Sequence, residues 1–240
     1  MTTVTEDAFL NGRITIKQHR RGYRFSIDAV ILAAHACLRA GEAVVDLGTG
    51  CGVIPLILAY RSPGSRICGI EVQKELAEIA RRNVNDNAMP DRIVILQQDI
   101  KLLTAGMVAG PVDLVVCNPP YRRPYSGRLN PDRQKAVARH EISATLADVV
   151  DSARRILKTS GRFVMIYPAE RLADVIAQMR ISRIEPKKLR SIHSDRYNGA
   201  KLVLVEGFKA VNPGMEILPP LFIYTRRGVY SKEVQKMFLP

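Results

Sequence analysis

Asn118-Pro119-Pro120-Tyr121 directly follows an apolar run, Val112 to Cys117, that reads as a buried parallel strand. An Asn side-chain oxygen and the next Pro carbonyl are two fixed acceptors beside an aromatic face. Together they can hold a planar amine by both N–H bonds while its ring stacks on Tyr121. That arrangement serves to make a poor nitrogen nucleophile react. Proline suits it because the ring fixes the backbone angle and removes an N–H that would compete for the acceptors. Asn118, Pro119, Pro120 and Tyr121 are therefore the candidate catalytic residues. Taken alone, the tetrapeptide also reads as an ordinary turn, since Asn and Pro are common turn formers.

A second constellation lies upstream. Val44-Val45-Asp46-Leu47-Gly48-Thr49-Gly50-Cys51-Gly52 puts alternate glycines at the carboxyl end of a strand, where a ligand can approach the backbone closely. The spacing is G-x-G-x-G rather than the G-x-G-x-x-G of a dinucleotide site. An acid just before the loop, Asp46, suits a cationic amino-acid moiety better than a pyrophosphate. Glu71, ending the next strand, can accept from two ribose hydroxyls, and Asp99, after the third, is placed to receive an exocyclic adenine amine. Val72 and Ile100 follow these acids and complete the candidate cofactor-binding set of Asp46, Gly48, Gly50, Gly52, Glu71, Val72, Asp99 and Ile100. A glycine loop after a strand is also a plain strand-to-helix turn, and Asp28 reads as a first-turn acid that stabilises a helix dipole.

The elements that must hold these groups alternate. Ser26 can cap a helix with Val30, Ile31, Ala34 and Leu38 on its apolar positions and Gly41 at its end. Strands are expected at Ala43 to Leu47, Arg66 to Glu71, Arg92 to Gln97, Val112 to Cys117 and Gly161 to Tyr167. Helices intervene: one runs from the glycine loop to Tyr60, and one carries Leu76, Ile79, Ala80 and Val84 on one face. A third, ending near Lys158, opens on the capping-box pair Thr145 and Asp148. A helix near 169–180 and strands near 184–193 and 201–208 follow, and 212–220 has linker-like composition. Such alternation implies an α/β, doubly wound, mostly parallel sheet. The expected organisation is a leader and helix over 1–40, a catalytic domain over 41–210 and a C-terminal extension over 211–240.

The charge layout points to the partner. The formal net charge is +13, and a balance this basic suits a polyanion. Between Arg122 and Arg139 six basic residues face one acid, and Tyr121 and Tyr125 open the segment. Arginines interleaved with aromatics suit looped or single-stranded nucleic acid, through stacking and phosphate pairing. Arg122, Arg123, Tyr125, Arg128 and Arg139 are the candidate RNA-binding residues, and a second basic concentration, Arg183 to Lys201, surrounds Tyr197. The four cysteines form no CxxC pair and suit reduced thiols in a cytoplasmic protein; the four histidines are dispersed, so no metal site is expected. The first fifteen residues hold no long apolar block, so neither a secretory signal nor a membrane anchor is expected.

Asp46 with its glycines, Glu71, Asp99 and the Asn-Pro-Pro-Tyr loop together resemble the class I S-adenosylmethionine-dependent methyltransferases over residues 24 to 208. The resemblance implies a Rossmann-like seven-stranded sheet with an antiparallel last strand and S-adenosylmethionine as cofactor. Within the class, Tyr23-Arg24-Phe25-Ser26-Ile27-Asp28-Ala29-Val30 and the early glycine loop look most like the bacterial N6-adenine methyltransferases of valine tRNA. That family implies tRNA as partner and the adenosine immediately 3′ of the anticodon as target. Three other readings stay open: a guanine-amine methyltransferase of ribosomal RNA, a glutamine methyltransferase of release factors, and an RNA-binding protein that keeps the fold without turnover. The glutamine enzymes carry an extra helical domain in front, for which the 43 residues before Val44 are expected to be too few.

Overall fold

The computed structural model describes residues 4–19, 26–119 and 144–240. The chain opens on an antiparallel hairpin, β1 (Val4–Phe9) and β2 (Ile14–His19), in the segment expected to be a plain leader. Its turn holds Asn11 and Gly12 at φ 53° and 79°, and β2 alternates with Ile14, Ile16 and Gln18 buried. Helix α1 (Ile27–His35) buries Ala29 to Ala33 and ends well before Gly41. The Arg162 guanidinium donates to the carbonyls of Ala36 and Cys37 at 3.1 and 3.3 Å, satisfying the chain just past the helix end.

The central sheet is built from β3 (Ala43–Leu47), β4 (Arg66–Glu71), β5 (Ile93–Gln97), β6 (Val112–Cys117), β7 (Leu157–Pro168), β8 (Ile184–His193), β9 (Ala200–Lys209) and β10 (Glu216–Phe222). Their spatial order is β10-β8-β9-β7-β6-β3-β4-β5. All pairings are parallel except those of β9 with β7 and β8. The antiparallel strand expected from the resemblance is thus β9, but among the described residues the sheet has eight strands rather than seven. The eighth, β10, occupies the stretch expected to be linker. Pro219 and Pro220 are tolerated there because β10 is an edge strand and its register shifts between Leu218 and Leu221.

Helices α2 (Val53–Arg61) and α3 (Lys74–Asp86) join α1 on one face, over Val44, Ile67, Ile95, Val116 and Val164. On the other face α4 (Leu146–Ile156) and α5 (Leu172–Ile181) cover Val45, Leu47, Val115, Phe163 and Met165. α4 opens on the expected capping box, in which Asp148 N–H donates to the Thr145 hydroxyl at 3.2 Å and Thr145 N–H to the Asp148 carboxylate at 2.8 Å. A short hairpin of β11 (Tyr224–Arg226) and β12 (Val229–Tyr230) leads into α6 (Lys232–Met237).

The N-terminal hairpin is fixed by two asparagines one helical turn apart. Asn83 exchanges hydrogen bonds with the backbone of Lys17 at 2.8 and 2.8 Å, and Asn87 with that of Thr15 at 2.9 and 2.7 Å. Their amides thus pair backbone groups of β2 as a neighbouring strand would.

Candidate active site

β3 and β6 are neighbours, and the chain order reverses between them, so their carboxyl ends open a crevice of the kind in which doubly wound sheets bind ligands. One cleft there is lined by Gly48, Gly50, Glu71, Val72, Asp99, Ile100, Asn118 and Pro119. Residues from the ends of four strands, far apart in sequence, are brought together. Asp46 and Gly52 do not line it.

The glycine loop folds over the end of β4. Gly48 and Thr49 N–H groups both donate to the Ile70 carbonyl, at 2.9 and 2.9 Å. The buried Glu71 carboxylate clamps the turn: Oε2 accepts from Gly50 N–H at 2.9 Å and Oε1 from Gln73 N–H at 2.9 Å. Each oxygen keeps a lone pair for a further donor. Gly52 has a packing role: φ is 83°, and an added Cβ would lie 3.2 Å from the Ala80 Cβ of α3.

Asp46 lies on the sheet face covered by α2, at 0% exposure, and among the described residues neither its carboxylate oxygens nor the Thr49 hydroxyl has a hydrogen-bond partner. Burial pushes its carboxyl up to about 7; the nearby Thr49 hydroxyl opposes this and the Glu71 charge adds to it. A carboxyl raised in the folded state contributes stability that is complete below its ordinary range and is lost as the pH rises through about 7. The melting temperature of Asp46→Asn relative to wild type is therefore expected to climb between pH 5 and pH 8. A difference that stays flat across that range would show that Asp46 is not held protonated.

Gly69, paired with Asp46, has no room for a side chain: a Cβ would lie 2.8 Å from Ile95 Cδ1 and 2.9 Å from the Thr49 hydroxyl oxygen. Gly69→Ala is expected to cost about 1–3 kcal/mol, measured by urea unfolding, as Thr49 and Ile95 are forced aside. A loss within 0.5 kcal/mol (roughly the range of neutral surface changes) would mean that the loop yields freely.

The cysteines around this site are thiols. Burial pushes Cys51 to about 11 and Cys68 to about 12, and Cys117 donates to the Leu47 carbonyl at 3.2 Å. None supplies a thiolate near neutral pH. Among the described residues no group of His, Cys, Asp or Glu is arranged to hold a metal ion, and no helix is long and apolar enough to cross a membrane.

Asp99 caps the short turn after β5, accepting from Lys101 N–H at 2.9 Å. α4 braces that turn through Ser152 Oγ, which donates to the Ile100 carbonyl at 2.6 Å, and Arg155, which donates to the Lys101 carbonyl at 2.8 Å. Sequence reading missed this brace, and Gln73 and Leu76 as cleft residues; their only signal is a place just past a strand end or one helix away. Asn118 is half-buried and Pro119 buried at the mouth of β6. Pro120, Tyr121, Arg122, Arg123, Tyr125, Arg128, Arg139 and the Tyr23-Arg24-Phe25 leader lie outside the described residues.

The family profile "Methyltransferase small domain" matches residues 25–179. A tRNA1(Val) (adenine(37)-N6)-methyltransferase from Porphyromonas gingivalis is 32% identical over 98% of this chain and 94% of its own. One of the same name from Pedobacter heparinus is 28% identical over 94% of each. A predicted O-methyltransferase from Agrobacterium tumefaciens has the same fold, with a TM-score of 0.71 over 88% of this chain and 94% of that one, at 24% identity. A cleft fed by four strand ends on a doubly wound sheet, together with near full-length likeness, decides the family: the chain belongs to the methyltransferase small domain family and, within it, to the tRNA1(Val) (adenine(37)-N6)-methyltransferases.

Proposed function

We propose that the protein transfers a methyl group from S-adenosylmethionine to the exocyclic amine of adenosine 37 in valine tRNA. The observation that carries this reading is that Asn118 and Pro119 share one cleft with the glycine loop, Glu71 and Asp99. The residues assigned to the methyl donor and to the acceptor amine thus follow neighbouring parts of the sheet around the β3–β6 junction.

The cleft suits that cofactor by its chemistry. The spare lone pairs of Glu71 can accept two ribose hydroxyls, and Asp99 can add an adenine amine to the Lys101 N–H it already holds. Val72, Ile100 and Leu76 offer apolar surface for the base, and Gly48 and Gly50 let a ligand approach the backbone. Asp46, beneath the loop, acts through its fold rather than by direct contact. Bound in the cleft, the cofactor supplies an electrophilic methyl group on a sulfonium.

The adenine amine is a weak nucleophile because its lone pair is delocalised into the ring. The Asn118 side-chain oxygen and the Pro119 carbonyl accept its two hydrogens and favour a pyramidal nitrogen with its lone pair directed at the methyl carbon. The same acceptors stabilise the positive charge that develops on nitrogen as the C–N bond forms and the C–S bond breaks. The methylated nitrogen then loses its proton to water or a nearby carbonyl. Orientation supplies the remaining acceleration. Tyr121 is assigned the stacking face and the arginines of the 122–139 segment the phosphates. The catalytic unit is residues 41–210, to whose sheet β10 adds an edge strand from the C-terminal extension, and the protein works in the cytoplasm.

Unmodified tRNA, ribosomal RNA and release factor, each incubated with labelled cofactor and read by mass spectrometry, test the assignment. Label is expected only as N6-methyladenosine in tRNA. Label in guanosine or glutamine would replace the reading with the corresponding rival.

A further inference from the structure

β8 and β9 rise above the rim of the site. Pairing places Cys117 level with Met165, Val205 and Leu189, yet β8 runs on to His193. At about 3.3 Å per residue the tip stands roughly 10 Å beyond the level of Asn118, and about 14 Å to its side across three strand spacings.

The tip, residues 194–199, is held by its own hydrogen bonds and carries an arginine and a tyrosine. The Asp195 carboxylate accepts from Tyr197 N–H at 2.8 Å and from the Asn198 amide at 2.8 and 2.9 Å, and the His193 ring bonds the Asn198 carbonyl at 2.9 Å. Held this way, Tyr197 is 87% exposed, with the Arg196 guanidinium 5.9 Å from its ring centroid. The β11–β12 hairpin is fastened to the same tip, Ile223 and Tyr224 N–H donating to the carbonyls of His193 and Ser194 at 2.9 and 2.8 Å. It adds exposed Arg226 and Arg227, and among the described residues no carboxylate pairs with Arg196, Arg226 or Arg227.

A solvent-facing ring held beside the Arg196 guanidinium, with Arg226 and Arg227 on the hairpin fastened to the same tip, is a stacking face already ordered in the free protein. Its distance from Asn118 suits a second point on a macromolecule, not the reacting base. We propose that the Arg196–Tyr197 tip, with Arg226 and Arg227, is a second contact for RNA, stacking an unpaired base remote from the methylated one while the arginines hold phosphates. This rests on the RNA reading above.

Equilibrium binding of tRNA transcript, measured without cofactor, tests it separately from methylation. Tyr197→Ala is expected to weaken tRNA binding about tenfold and to raise the KM for tRNA alike, with kcat and cofactor affinity unchanged; Tyr197→Phe should stay within twofold of wild type. Arg226→Ala combined with Arg227→Ala should flatten the dependence of log affinity on log salt by about 1.4, the release expected for two single-strand phosphates. Tyr197→Ala binding tRNA within twofold of wild type, with an unaltered melting temperature, would overturn the proposal. A wild type that binds tRNA yet methylates only protein would overturn the assigned activity, and the Tyr197 comparison would still decide the tip.

Discussion

Asn118→Ala is expected to lower turnover about 100-fold or more while cofactor affinity moves less than twofold. The effect is one of differential binding. In the proposed mechanism the side-chain oxygen meets a nearly neutral amine in the ground state and a partly positive nitrogen in the transition state, so its loss should fall on kcat rather than on binding. Position supports this: Asn118 is half-buried at the mouth of β6, at the cleft edge, and neither Glu71 clamp bond involves it. Asn118→Asp is a sharper variant, since it keeps an acceptor but loses the amide N–H₂ and adds a charge. It should recover more activity than Ala if acceptance alone matters. Equal single-turnover rates for wild type and Asn118→Ala would remove the residue from the chemistry.

Glu71→Ala is expected to weaken cofactor binding by roughly 100-fold and to lower the melting temperature as well. Two effects combine. In the proposed site the cofactor would lose its ribose acceptors, each hydrogen bond to a charged group being worth about 1.5–3 kcal/mol. The Gly50 and Gln73 N–H groups also lose the partners they hold at 2.9 Å, leaving donors unmet in a nearly buried site. Glu71→Gln separates these, because it keeps the shape but turns one acceptor into a donor that faces an N–H. It should fall between wild type and Ala in both calorimetric affinity and melting temperature. An Ala variant that binds cofactor within twofold of wild type would contradict the clamp's role.

Much of the sheet was legible because period and punctuation agreed. The runs at Ala43–Leu47 and Val112–Cys117 are short and mostly apolar, followed by Gly48 and Asn118, and Arg66–Glu71 has an apolar centre between charged ends; all three fold as strands. The Thr145–Asp148 capping box needed only local spacing. Two of the misses are β strands. Ile14 and Ile16 alternate behind Asn11-Gly12, a hairpin signal, yet the segment read as leader because its partner surface, Asn83 and Asn87, lies seventy residues on. Residues 216–222 read as linker because Pro219 and Pro220 penalise a strand, a penalty that lapses at a sheet edge.

The site shows the same division. Residues that end strands, Glu71 and Asn118 among them, could be named from sequence because topology alone puts strand ends together. Asp46 could not be placed that way. Its position before the loop suggests contact with a ligand, whereas strand alternation turns its side chain to the α2 face and into full burial. Ser152 and Arg155 were invisible for another reason: they act through backbone carbonyls some fifty residues distant, and no pattern in either segment announces the pair.

In the proposed mechanism two oxygen acceptors free a nitrogen lone pair for attack. A structure of the protein with a tRNA anticodon arm and the demethylated cofactor product tests it most directly, through the two distances from the adenine N6 to the Asn118 side-chain oxygen and the Pro119 carbonyl. Both are predicted at about 3 Å, with the amine facing the sulfur. Either oxygen found turned away from the amine, in a complex that still forms product when supplied with methyl donor, would contradict it.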